Sequence, residues 1–225
     1  MIYNKLWWRY LLGIWMTVVI LGAFLYAPPA KGLGETARIL FFHVPTAWLA
    51  TLAFLVSAIG SVQYLRTQQM KFDIWATSSA QIGIIFAILA TVTGSIWAKK
   101  IWQSFWNWDP RETSIFILLL IYAAYFALRS AIDVEEQKAK LAAVYSTIAF
   151  VTVPFFVFII PRIYESLHPD PLINPAGEIK MDGRMLQVFL ASLAGFTVLF
   201  YWMLRLKVDA MKIKHQVDLN RLKKS

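Results

Sequence analysis

Charged residues punctuate this chain at intervals that a bilayer would recognise. Residues 10–30, 39–65, 74–98, 113–128, 141–161 and 185–204 contain no Asp, Glu, Lys or Arg, which gives uncharged stretches of 21, 27, 25, 16, 21 and 20 residues. An α-helix rises about 1.5 Å per residue, so a hydrocarbon core of roughly 30 Å takes about 20 apolar residues to cross. The pattern predicts an all-α integral membrane protein with six transmembrane helices. The fourth stretch is short, and its helix is expected to start inside the preceding polar loop. The first has Lys5 and Arg9 ahead of it, as a secretion signal would. It is longer than the roughly 7–15 apolar residues of such a signal, and Pro28-Pro29 makes a poor cleavage site, so it reads as a retained anchor.

Composition sharpens this picture. Of 225 residues 59% are hydrophobic and only 16% charged, against about 25% charged in ordinary soluble domains. A water-soluble fold, a disordered chain and a coiled coil are all excluded. Cys is absent, which removes disulfides, thiolate metal sites, thiol nucleophiles and haem attachment through Cys-x-x-Cys-His. The net charge of +9 sorts by side: the N-terminus, the loops 66–73 and 129–140 and the tail 205–225 carry 14 basic residues, the other three loops 8. The positive-inside rule then places both termini in the cytoplasm, and the basic tail decides the sign. Its charge belongs at a membrane surface rather than on nucleic acid, and residues 1–225 read as one six-helix membrane domain. The tail has Leu206, Ala210, Ile213 and Val217 at helical spacing, suited to lying on anionic lipid.

The chemistry concentrates in 95–114, SIWAKKIWQSFWNWDPRETS, where Trp97, Trp102, Trp106 and Trp108 fall within twelve positions. Two readings stand side by side. Trp gathers at membrane interfaces, and residues 101, 102, 105, 106 and 108 share one face at helical spacing, as in an amphipathic segment lying in the interface. The density of flat rings beside Lys99, Lys100 and Arg111 also suits a large planar ligand bearing carboxylates, such as a porphyrin with two propionates. In either case Asp109-Pro110-Arg111-Glu112 is a helix start: Asp109 as cap, Pro110 at the first position, Glu112 reaching back.

Three histidines exist. His43, in RILFFHVPTAW, stands at the mouth of the second span, whose helix is expected to begin near Pro45. His168, in RIYESLHPDP, lies beyond the fifth span on the same external side as the Trp segment. If helix continued that far, His168 would stand about 10 Å above the core boundary. His215 sits in the cytoplasmic tail and reads as solvated. Two imidazoles and an aromatic platform on one face fit axial ligation of a haem iron from both sides. Zinc is the rival. It needs further ligands, for which Asp170 or Glu165 is available, but neither explains the Trp segment. Arg38, five residues before His43, has the fork that matches a propionate, or it simply anchors the helix end. A transporter or channel subunit is the alternative from another class, disfavoured because the spans lack ionisable residues.

The segment WAKKIWQSFWNWDPRET is similar to the WWD signature of haem-handling proteins in cytochrome c maturation. With RILFFHVP before the second span and ESLH after the fifth, the chain resembles the CcmC family over nearly its whole length. That resemblance implies non-covalent haem b at the external face of the bacterial cytoplasmic membrane, with His43 and His168 as axial ligands. It implies a cofactor-binding set of Trp97, Trp102, Trp106, Trp108, Asp109, Arg111 and Arg38. It also implies presentation of haem to a CcmE-like chaperone, alongside a CcmD-like small protein and a CcmA–CcmB-like transporter, a role closer to a haem presenter than to a conventional enzyme. Ala98 and Gln103 replace glycines usual in the motif, and DPRET is closer to CcsA-type proteins. Direct haem delivery for cytochrome c synthesis is therefore the alternative, with a haem transporter subunit beside it.

Overall fold

The computed structural model describes residues 7–169 and 179–222. Among them, six helices are long and apolar enough to cross a membrane, as the uncharged stretches predict. Helix α1 (Trp7–Leu21) ends in a π turn, Gly22–Tyr26. A 3₁₀ turn (Glu35–Ile39) leads into α2 (Leu40–Thr67), followed by α3 (Met70–Trp102) and α4 (Pro110–Ser130). The fifth span is composite, with α5 (Glu135–Pro154), a π turn (Phe155–Ile159) and the short α6 (Ile160–Ile163). Helix α7 (Gly183–Leu222) is the sixth and runs 40 residues.

The helices are held by close approach and by rings. Helices α2 and α3 form a tight hairpin: a Cβ on Gly60 would lie 3.1 Å from the backbone of Phe72 and Ala76, and one on Gly83 would strike the Phe54 ring at 2.7 Å. Small residues at such crossings let dispersion forces act where lipid leaves no hydrophobic drive between helices. The Phe54 ring stacks on Tyr122 of α4 with centroids 3.5 Å apart. Buried side chains of α2, α3, α4, α5 and α7 form one core around them.

Where the helices begin and end departs from expectation in two places, and a third point left open is decided. Pro45 does not start α2 but lies inside it. Proline has no N–H for the carbonyl four residues back; that carbonyl, Phe41 O, accepts the Ser192 hydroxyl of α7 instead, so the helix runs through. The Trp segment is not an amphipathic helix past Trp102: α3 stops there, with Gln103 left-handed at φ 62. Lys99 Nζ closes that end on Gln103 O at 2.9 Å, and residues 103–109 form an irregular loop. The fifth span ends at Ile163 and Tyr164 turns extended, so His168 rides on a loop rather than a helix. The start of α4 meets expectation, with a complete Asp109–Glu112 capping box and Pro110 in the first turn. At the far end the tail continues α7 as helix, and His215, expected to be solvated, lies 3.2 Å from Glu135 Oε2.

Candidate functional site

His43 belongs to the second turn of α2, and its position rests on α3. Its Nδ1 is 3.0 Å from Thr93 Oγ1, and its ring lies along Gly94, where an added Cβ would sit 3.0 Å from His43 Cε1. The entry to α2 is fixed from below. The Arg38 guanidinium donates to Ala27 O at 3.0 Å and to Ala23 O, carbonyls left open at the end of α1, and pairs with Glu35.

His168 is fixed by a carboxylate. Asp109, 4% exposed, accepts from His168 Nδ1 at 3.0 Å, the Leu167 N–H at 2.6 Å, the Ser166 hydroxyl at 3.0 Å and the Arg111 N–H at 2.9 Å. One side chain thus caps α4, ties down the loop 164–169 and orients its imidazole. Glu112 Oε2 completes the turn by accepting the Asn107 N–H at 2.7 Å. Burial works against the Asp109 charge, but the N–H groups of Arg111 and Leu167, the imidazole and the Ser166 hydroxyl outweigh it and hold the carboxyl below its ordinary range. Burial pushes the His168 imidazole below its ordinary value despite the opposing pull of Asp109. It is therefore neutral near pH 7, with Nδ1–H donated to the carboxylate and Nε2 carrying a lone pair, the arrangement of a metal-ligating histidine.

The four Trp divide their work. Trp97 and Trp102 pack edge to face 5.1 Å apart, and both rings flank His168, at 6.1 and 5.1 Å between centroids. Trp106 stands perpendicular to Trp108 at 5.9 Å and meets Phe116 at 6.1 Å. Trp108 is 70% exposed with φ 57. The segment is thus a brace and a rim rather than one flat shelf.

Both imidazoles line a single cavity of about 350 Å³, within the usual size of small-molecule sites. Its walls come from α2 (Val44, Ala47, Trp48, Thr51), α3 (Ala90, Gly94, Trp97), α4 (Arg111, Glu112, Ile115) and the π turn (Phe156, Val157, Phe158). Trp106 and Arg162 close the lining.

The structure gathers His43, His168, Trp97, Trp106 and Arg111 at this cavity; Trp102 and Asp109 support His168 from behind, and Trp108 stands at the surface. Arg38 is turned away onto carbonyls, and Lys99 is spent on the end of α3. Arg162 and Thr93 carry no motif in the sequence, and Glu112 reads there only as part of a helix cap; the signal for Arg162 is a cation at the first position after the fifth uncharged stretch. For zinc, no group of three or more His, Cys, Asp or Glu among the described residues is arranged to hold a metal ion. Asp170, considered as a third ligand, lies outside the described residues.

Comparison with known proteins gives one family along almost the whole chain. Residues 2–223 match the family model described as CcmC, heme exporter protein C. The chain is 34% identical over 188 residues to the heme exporter protein C of Bradyrhizobium diazoefficiens, covering 82% of this chain and 71% of that protein. A putative cytochrome c biosynthesis ccmC-like mitochondrial protein of Marchantia polymorpha is 32% identical over 78% of this chain and 75% of its own length. The heme exporter protein C of Haemophilus influenzae is 29% identical over 88% of this chain and 82% of its own length.

Proposed function

The chain belongs to the heme exporter protein C family and is a multi-pass membrane protein with a role in haem handling for cytochrome c maturation; on that premise we propose that it grips haem b between His43 and His168 and presents it to a CcmE-like chaperone. The observation that carries this reading is the pair of imidazoles on one cavity, each with Nδ1 engaged, by Thr93 and by Asp109. Both Nε2 atoms are thereby left as iron donors. The donor set fits haem in its other parts as well. Aromatic and aliphatic walls suit the porphyrin faces, and the guanidinium groups of Arg111 and Arg162 suit propionates.

The site lies at the external face of the bacterial cytoplasmic membrane, with both termini inside, as the distribution of basic residues supports. Neutral imidazoles bind iron reversibly, so a recipient that supplies its own ligand can take the haem. The chain has no Cys, so a covalent bond to haem would be made by the recipient. A CcmD-like protein and a CcmA–CcmB-like transporter are the partners in this reading. The experiment is the absorption spectrum of the purified full chain and of His43→Ala and His168→Ala. The expected result is a six-coordinate low-spin spectrum that each substitution converts or abolishes; spectra unchanged in both variants would overturn the reading.

A further inference from the structure

The two imidazoles have different partners, a carboxylate for His168 and a hydroxyl of α3 for His43. Thr93 Oγ1 lies 2.7 Å from Leu89 O and 3.2 Å from Ala90 O, the carbonyls one turn back on α3. A hydroxyl has one proton. With that proton on the α3 carbonyls, the oxygen faces His43 Nδ1, 3.0 Å away, as an acceptor. The ring nitrogen must then carry the hydrogen. The neighbouring residue supplies room: at Gly94 a methyl group would sit 3.0 Å from His43 Cε1, 3.6 Å from Nδ1 and 3.8 Å from Nε2. Contacts near 3 Å are tighter than carbon atoms ordinarily make, so a side chain there would push the imidazole by a few tenths of an ångström.

We propose that Thr93 and Gly94 of α3 are the positioning residues for His43: Thr93 fixes the Nδ1–H tautomer so that Nε2 faces the cavity as iron ligand, and Gly94 leaves the gap in which the ring lies. The inference rests on the reading of His43 as a haem ligand. A carboxylate makes its imidazole a stronger electron donor than a hydroxyl does. The His43 bond is therefore the weaker of the two axial bonds and the first to yield to a competing ligand.

The test uses the haem-loaded full chain with Thr93→Val, Thr93→Ser and Gly94→Ala. Valine keeps the shape of threonine and removes the acceptor; serine keeps the acceptor. The expected result for Thr93→Val is haem dissociation about tenfold faster and a high-spin fraction that added imidazole returns to low-spin. Thr93→Ser should match the unaltered protein, and Gly94→Ala should resemble Thr93→Val. Equal dissociation rates and spectra in Thr93→Val and the unaltered protein would overturn the proposal, as would a defect in Thr93→Val that added imidazole leaves in place. If Thr93→Val does not fold, Gly94→Ala decides by the same spectrum and the same imidazole rescue. His43→Ala separates the two levels of the argument. An unchanged spectrum there defeats the haem reading itself, whereas a changed spectrum with a normal Thr93→Val defeats only the proposed seat.

Discussion

His43 and His168 face one cavity from opposite kinds of support. His43 is part of a 28-residue helix whose backbone bonds hold it in place, so its partner on α3 need only choose the tautomer. His168 is on a loop with no helical ladder, and its position comes from Asp109, which takes four donors from Arg111, Ser166, Leu167 and the imidazole itself. A rigid element can make do with a neutral hydroxyl; a loop needs an anion that is strap and tautomer selector together. The difference separates mechanical from electronic strength, since the imidazole on the softer element has the stronger hydrogen-bond partner.

The largest break in this comparison is expected at Asp109. Asp109→Asn cannot accept as the carboxylate does, frees the loop 164–169 and weakens the cap of α4. Haem affinity should fall about a hundredfold, well beyond the effect of Thr93→Val, measured by haem titration of the purified chain. An effect no larger than that of Thr93→Val would mean that the strap is not what holds His168. Next come the rings. Trp97→Ala or Trp102→Ala removes a ring contact on His168, tilted for Trp97 and edge to face for Trp102, each worth about 1 kcal/mol, and should speed haem loss roughly fivefold. Trp108→Ala, at an exposed ring, should leave dissociation unchanged; equal effects at all three positions would restore the picture of a single aromatic shelf.

Much of this architecture is legible in the sequence, and the rest is hidden for definite reasons. Uncharged stretches mark the six spans because lipid penalises charge wherever it falls, and Asp109-Pro110-Arg111-Glu112 marks the start of α4 because capping is local. Pro45 misleads because the group that replaces its missing N–H, Ser192, is 151 residues from the carbonyl it bonds. Periodicity carries 101–108 on as helix past the point where Gln103 turns left-handed. Arg38 and Arg162 are equally basic on paper, and each bonds a carbonyl at the end of a span; that only Arg162 also lines the cavity leaves no mark in composition. Thr93 escapes because its significance lies in a residue 50 positions away.

The smallest expected effect is with pH. Burial holds His168 below its ordinary range, and hydrogen bonds hold Asp109 below its own. Protonation of either would compete with the strap or the iron bond. Both shifts move that competition to lower pH, so ligand and strap keep their binding forms as the solution is acidified from neutrality. A titration of haem affinity against pH should therefore lose affinity with a midpoint below the ordinary imidazole value of about 6.5. A midpoint at or above that value would mean that the pull of Asp109, and not burial, governs the protonation of His168.

The most direct measurement is electron–nuclear double resonance on the ferric haem-loaded full chain with its histidines labelled with ¹⁵N. Two histidine nitrogens coupled to one low-spin iron, reduced to one in either His43→Ala or His168→Ala, is the predicted result. A single coupled histidine in the unaltered protein, or couplings that survive both substitutions, would contradict the account.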